Sequence, residues 1–327
     1  MPSPSTSLAT LRPDIAAAFI EFELEAEAQG YIASQVLPAF DVQYAAGTYP
    51  IIPIETLLQN PETKRNNNSG YNRMDWNFDD ATYRCDEHGL EGPVDDRTAR
   101  MYKEYFDAEV QTSLILRAAI MRAAEKRVAA KLFNATTFTS QTTSVTNEWD
   151  SNHTSNATPI ANVNTAVNAV YDRTGVWPNA LIINRKVFKN LKMLDEIIAA
   201  IASSGAGDPT KQADITAQML AQVFDLDMVI VAGGSKNTAD EGQTVAVEQV
   251  WSNEYAMVAK VARTNNFGEP CIGRILHYSD DGSTIGGTVE QYRDEHLRRD
   301  VLRVRHDVDE KILYTEIAQL LDNVTTI

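Results

Sequence analysis

The spacing of apolar and polar positions divides the chain into stretches of different period, and the longest helical stretch covers residues 95–134. It contains neither Gly nor Pro, is rich in Ala, Leu, Arg, Lys and Glu, and places Tyr102, Phe106, Val110, Leu114, Ala118, Met121, Val128 and Leu132 mostly three or four apart. The pattern predicts one amphipathic helix of roughly 60 Å at the usual helical rise. Asp95 or Asp96 would cap it just after Pro93, and Asn134 with the Thr-rich run behind it would end it. A rod of that length is expected to span the long dimension of the molecule, with one face on a returning strand near Leu302 and Val308.

That strand shows the opposite period. Leu302, Val304 and Val308 point one way, and Arg303, Arg305, Asp307 and Asp309 the other, as in a strand buried on one side. The mixed charges are either a solvated face or a means of setting register between repeating subunits. Residues 13–34 carry Ile15, Phe19, Phe22 and Ala26 before Gly30, a short helix with one apolar face that packs on its own domain or on another subunit. Residues 40–44, 49–57 and 76–84 read as extended pieces around the polar tip QNPETKRNNNSGYNRMD. Such a two-stranded ribbon is marginal alone and is expected to lie on a neighbouring subunit.

Residues 134–158 hold 16 Asn, Ser or Thr in 25 and read as a linker. After them Thr158 and Pro159 open a helix that ends at Gly175. Strands are predicted at 179–184, 227–232, 244–251, 255–263 and 271–278, and helices at 185–193 and 214–224, which together make an α/β unit with its own core.

Composition narrows the function. A net charge of −16 over 327 residues argues against a general polyanion binder, and residues 1–58 contain Arg12 as their single base. Cys85 and Cys271 are isolated, which disfavours a disulfide framework or a structural zinc site. Glu21 and Glu23 interrupt the one candidate for an apolar leader, so neither export nor a membrane span is expected.

Catalytic motifs are missing. Gly233-Gly234-Ser235-Lys236 follows a strand but lacks the full phosphate-loop spacing and has turn formers behind it. His88, His153, His277, His296 and His306 form no zinc-type pair, and no G-x-S-x-G elbow occurs. The paired acids Asp79/Asp80, Asp95/Asp96 and Asp280/Asp281 are more economically read as caps and turn formers. No catalytic, cofactor-binding or metal residue is assigned.

The order of segments resembles the major capsid protein of tailed bacteriophages, the Hong Kong 97-type fold. So do particular stretches, among them CDEHGLEGPVDDRTARMY, TPIANVNTAVNAVYDRTGVWPNALIINRKVFKNLK, LAQVFDLDMVIVAGGSKNTADEG and DVLRVRHDVDEKILYTEIAQLLDNV. The resemblance implies an α+β chain with an N-arm (1–44), an extended two-stranded E-loop (45–90) and a P domain (91–157) built on the 95–134 spine helix and an antiparallel sheet. An α/β A domain (158–285) and returning strands of the P domain with the C-terminus (286–327) would complete it. It further implies hexamers and pentamers closing an icosahedral shell around double-stranded DNA held without specific binding. The partners would be a portal, a separate scaffolding protein and possibly decoration proteins; an arm directly after Met1 favours scaffolding as a separate chain or none. Candidate assembly residues are Phe19, Phe22, Lys64, Arg65, Tyr71, Trp76, Arg303, Arg305, Asp307 and Asp309. Lys64 could enter a Lys–Asn crosslink, although no Asn partner is identified by motif. An encapsulin-like compartment is the alternative within the same architecture, and an α/β enzyme is the distant one.

Overall fold

The computed structural model describes residues 10–11, 30–67, 70–74, 78–103, 107–203, 215–240, 242–279 and 284–325. The period-two pattern of the C-terminal third becomes strand β14 (Arg299–Ile312), which buries Leu302, Val304, His306, Val308 and Glu310 on one face. Around it stand β5 (Asp86–Asp95), β13 (Thr288–Asp294) and β12 (Gly273–Tyr278), all antiparallel to it. Two further strands, β1 (Thr10–Leu11) on β13 and β2 (Ala39–Val42) on β12, complete a six-stranded sheet. Residues 271–278 were expected in the α/β unit; β12 instead pairs with β14, a partner of which its local sequence carries no sign.

The predicted rod is divided. Helix α3 (Asp96–Tyr102) is capped by Asp95, whose side chain accepts from the amides of Arg97 and Thr98. A second helix, α4 (Ala108–Leu132), starts at Asp107, which is extended at φ −80 and ψ 111 and accepts from Glu109 N and Val110 N. A second N-cap inside the apolar pattern therefore restarts the helix, and α4, with 25 residues, reaches about 37 Å rather than 60 Å. Its buried positions are Ser113, Arg117, Ile120, Ala124, Glu125, Val128, Ala129 and Leu132, so the face that packs is rotated from the predicted stripe and carries charge. Ile120 meets Leu302, Val304, Val94 and Val289, which places α4 on β14 as expected. Gly92 on β5 permits this approach, since a Cβ there would stand 2.6 Å from Thr112 Cγ2.

The second sheet is buried on both faces. Its order is β6 (Thr142–Ser144), β15 (Ala318–Asp322), β11 (Ala256–Ala259), β7 (Ala180–Asn184) and β8 (Met228–Ala232). In β7, Ala180 and Ile182 join the core shared with α4 and the first sheet. Leu181 and Ile183 face the opposite core under helices α5 (Pro159–Thr174), α6 (Arg185–Leu191), α7 (Asp195–Ser203) and α8 (Ala217–Val223). Pro159 opens α5 and Gly175 closes it at φ 66, as the sequence predicts, while the Thr158 side chain makes no cap hydrogen bond. The polar stretch 134–158 is no free linker: Phe138, Val145 and Trp149 are buried in it and β6 pairs with β15. The predicted strand 244–251 shortens to β10 (Val247–Gln249), which pairs with β9 (Ser235–Asn237) as an exposed hairpin. The Gly233-Gly234 pair leads into that hairpin rather than into a helix. Gly233 N donates to Gly30 O at 2.8 Å, and a Cβ on Gly30, which sits at φ 82, would fall 2.6 Å from Gly233 N.

Short helices α1 (Ala33–Val36) and α2 (Ile54–Leu58) complete the described elements with the ribbon strands β3 (Ala46–Ile51) and β4 (Asp79–Arg84). Residues 54–57 are helical where an extended piece was predicted. The predicted helix over 13–34 falls outside the described residues up to Gly30, as do Phe19, Phe22 and Trp76.

Candidate assembly surfaces

The ribbon is held at its base and bare at its tip. Strands β3 and β4 pair from Ala46↔Arg84 to Ile51↔Asp79. Tyr49 packs edge-on to Phe267 with ring centroids 5.3 Å apart, Phe40 lies 5.1 Å from Phe267, and Tyr314 Oη donates to Ile52 O at 3.1 Å. Past α2 the tip is shaped by short-range contacts. Lys64 N donates to Glu62 Oε1 at 3.0 Å, Asn72 Nδ2 to Glu62 O at 2.6 Å, and the Arg65 guanidinium stands 4.7 Å from the Tyr71 ring centroid. Tyr71 is 79% exposed, and Leu58, Phe78 and Tyr44 are also exposed along the same ribbon. Large apolar side chains grouped in water on a structure that cannot stabilise itself mark a contact surface. Two more exposed groups lie elsewhere: Trp177 stacked on Tyr171 at 4.1 Å, and Val245 with Val247 at the β9–β10 hairpin.

The charged face of β14 is closed by pairs within the chain. Arg303 meets Glu91 at 2.5 Å and Glu290 at 3.5 Å, and Arg305 meets Glu290 at 3.0 Å and Asp307 at 3.4 Å. Asp309 pairs with Lys311 at 3.2 Å and accepts from Arg84 N at 3.0 Å.

Buried polar groups fix how α4 sits between the sheets. Glu125, 1% exposed, accepts from Ile32 N at 2.9 Å, Ala33 N at 2.8 Å and Trp251 Nε1 at 2.6 Å. A carboxylate from the long helix thus caps α1 from a distance in sequence. Burial pushes this carboxyl above the ordinary range, against the pull of its three donors. On the next turns Arg127 and Lys131 grip Glu310 of β14 at 2.8 and 3.2 Å. Burial alone would raise Glu310, but these two cations outweigh it and hold it low. His306 is 1% exposed; burial, reinforced by Arg127 and His88, pulls it down to about 4, while its Nδ1 donates to Ile285 O at 3.0 Å. Arg173 of α5 donates to Glu316 O and Ala318 O at 3.0 Å each, tying that helix to the C-terminal strand.

These groups do not compose a reaction centre. Burial lifts the Cys85 thiol to about 11 and the Cys271 thiol upward as well, away from the reactive thiolate. His277 Nδ1 lies 2.9 Å from Asp41 Oδ1. Glu148, Asp150 and His153 bring potential ligand atoms within 4.8 Å of one another, a trio the sequence does not single out. Asp150 already bonds His153 Nδ1 at 3.0 Å and Asn152 N at 2.9 Å.

No protein-family model matches the chain, and no curated protein sequence matches it. Solved structures do. A phage-related protein from Bordetella bronchiseptica RB50 superposes with a TM-score of 0.70 at 17% identity over 97% of this chain and 98% of that one. The capsid of cyanophage P-SCSP1u matches at 0.55 and 10% identity over 88% and 86% of the two chains. The SrpI encapsulin of Synechococcus elongatus PCC 7942 matches at 0.52 and 11% over 90% and 87%. The chain has the Hong Kong 97-type capsid fold.

The ribbon and the long helix are the parts of this fold that the sequence makes visible, the helix with its division at Asp107 unseen. Lys64, Arg65 and Tyr71 stand together at the exposed tip. Arg303, Arg305, Asp307 and Asp309 share one face of β14, distinct from that tip. Sequence reasoning missed the apolar members of the surface, Leu58, Phe78, Trp177 and Val247, because single hydrophobic residues beside turns carry no period. It also missed Glu125 and Glu310, which look like ordinary charges of a solvated face.

Proposed function

We propose that the protein is the major capsid protein of a tailed bacteriophage, assembling as pentamers and hexamers into an icosahedral shell around double-stranded DNA. The observation that carries this reading is the end-to-end superposition on a phage-related protein, 97% of one chain on 98% of the other. The exposed ribbon supports it, because a marginal two-stranded element becomes stable by lying on a neighbour, and a closed shell repeats that contact in every subunit. In this reading residues 1–44 are the N-arm, 45–90 the E-loop, 91–157 with 286–327 the P domain, and 158–285 the A domain. Lys64, Arg65 and Tyr71, with Phe19, Phe22 and Trp76 and the charged face Arg303, Arg305, Asp307 and Asp309, are assembly residues. The role is structural rather than enzymatic. The net charge of −16 suits a container through which a polyanion slides without sticking. A portal, a separate scaffolding protein and decoration proteins are its expected partners, and the product is a virion made in the cytoplasm of a bacterial host.

The full-length chain, expressed with and without candidate scaffolding proteins and viewed by electron microscopy, should give shells, capsomers, tubes or sheets. Stable monomers alone would overturn the proposal. The encapsulin match supports a second reading, a nanocompartment shell. Particle contents separate the two: packaged genome supports the phage shell, an enclosed enzyme the compartment.

A further inference from the structure

A cleft of about 480 Å³ opens between α5, the turn that follows that helix and the loop that enters β8. Helix α5 contributes Asn164 and Asn168, four residues apart and so on one face, and the loop contributes Asp225 and Asp227. Val167, Pro178 and Phe224 supply apolar surface between them, and Trp177 completes the lining. One face of the Trp177 indole is covered by Tyr171, whose ring lies 4.1 Å away and nearly parallel at 17°. Tyr171 does not line the cleft and Trp177 is 56% exposed, so the indole meets the cleft with its other face or its edge.

The walls are held without help from an occupant. Asp225 takes a left-handed φ of 54 where α8 ends, Leu226 N donates to Ala221 O at 2.9 Å, and Asp227 N donates to Asn179 O at 3.1 Å. The Asp227 carboxylate is paired with Arg263 at 2.5 Å. The side chains of Asn164, Asn168 and Asp225 are exposed and have no partner among the described residues. Two amides, each a donor and an acceptor, and one acceptor carboxylate therefore stand beside an aromatic ring.

We propose that this cleft binds a neutral sugar, one or two pyranose rings of an oligosaccharide, with ring C–H groups on Trp177 and hydroxyls on Asn164, Asn168 and Asp225. A hydroxyl donates and accepts at once, as the two amides do, and a sugar ring also has an apolar side that suits an indole. A wholly apolar ligand would strip water from three polar side chains and return no hydrogen bond. A phosphate-bearing ligand would meet the negative charge of Asp225. The volume lies within the range of pre-formed small-molecule sites. All the lining groups belong to one chain, so the site does not depend on assembly into a shell.

The full-length protein, screened against an array of neutral, amino and acidic glycans, should retain neutral ones. The retained oligosaccharide, titrated in solution, should bind saturably at millimolar concentration or below in ligand-observed NMR. Trp149 and Trp251 are buried, so bound sugar should also protect an exposed tryptophan from acrylamide quenching in the unmodified protein. Trp177→Ala should weaken binding about tenfold, the value of one aromatic contact, and so should Asn164→Ala with Asn168→Ala. These positions are exposed, and melting curves check that each variant folds; if one does not, the quenching measurement decides alone. Choline chloride and inorganic phosphate are the charged probes, and binding of either in place of sugars would refute the assignment. Retention of no neutral glycan, or retention undiminished in both variants, would do the same.

Discussion

Removing the Glu125 carboxylate should unfasten α1 from α4, and the size of the effect follows from its three donors. Ile32 N, Ala33 N and Trp251 Nε1 all end on this one group, 2.6 to 2.9 Å away. Each buried donor left without a partner costs about 1–3 kcal/mol. Glu125→Ala orphans all three, and partial relaxation of the short helix α1 relieves some of the loss, so we expect about 3–5 kcal/mol rather than the full sum. Glu125→Gln keeps one carbonyl oxygen and turns an amide donor on the others, costing about 1–3 kcal/mol. The pH dependence has a definite sign. A carboxyl raised by burial contributes stability that is present below the ordinary carboxylate range and is lost as pH rises through its folded value, so the deficit of the Gln variant should be largest in acid and narrow toward neutral pH. Urea unfolding of the soluble full-length chain at several pH values, read by tryptophan fluorescence, measures both. A double-mutant cycle with Trp251→Phe should give a coupling of about 1–2 kcal/mol. Variants within about 0.5 kcal/mol of the parent, or a cycle that is additive, would refute the reasoning.

Other outcomes follow from the same contacts. His306, held down to about 4 by burial from an ordinary value of 6.5, keeps stability that is present above 6.5 and lost as pH falls toward 4. Between pH 7 and pH 5 this removes about 2 kcal/mol, a slope that His306→Gln should flatten in chemical denaturation. His88, also lowered by burial and Arg127, adds in the same direction. Leu114→Pro, inside the unbroken helix α4, should cost about 3 kcal/mol or more and abolish particle formation, and normal particles would contradict the role given to that helix. Tyr71→Ser with Phe78→Ser should leave the melting of the unassembled chain within about 0.5 kcal/mol of the parent while reducing particle yield in sedimentation, and unchanged yield would remove the ribbon from the assembly surface.

Local periodicity made part of this fold legible. The alternation through Leu302, Val304 and Val308 is the burial pattern of β14, and the apolar run ALIIN became β7, enclosed on both faces. Pro159 and Gly175 bracket α5 because their backbone preferences act within a few residues. The division of the long helix was hidden because the apolar spacing runs on through Asp107, and a cap is visible only once the chain turns there. Sheet membership was hidden for another reason. Nothing near residues 273–278 or 318–322 states that one strand joins β14 and the other β11, since those pairings span long separations. The polar stretch 134–158 misled by composition, as four buried apolar residues, Phe138, Val145, Trp149 and Ala157, fasten it. At the candidate surface, turn formers announced the tip that carries Lys64, Arg65 and Tyr71, whereas an acid in AAEKRVAAK gave no hint that Glu125 would be enclosed.

Helix α4 carries two buried charges, Arg117 and Glu125, and grips a third, Glu310. Hydrophobic contact is non-directional, and a helix lying on a sheet can slide or rotate at little cost if only apolar groups meet. The five-stranded sheet avoids this through its ladder hydrogen bonds and two enclosing cores. Helix α4 has no ladder, and its position is set by directional groups: Glu125 toward α1 and Trp251, Arg127 and Lys131 toward Glu310. A paired buried charge contributes little net stability against an apolar substitute but is severely penalised in any other register. The helix therefore links the segment after Gly30 to β14, the central strand of the first sheet, and a change in either anchor is felt by both. The ribbon is joined to the body at its base, by its aromatic contacts and by Arg84 N on Asp309, so alterations at its tip should separate assembly from folding, which alterations along α4 cannot do.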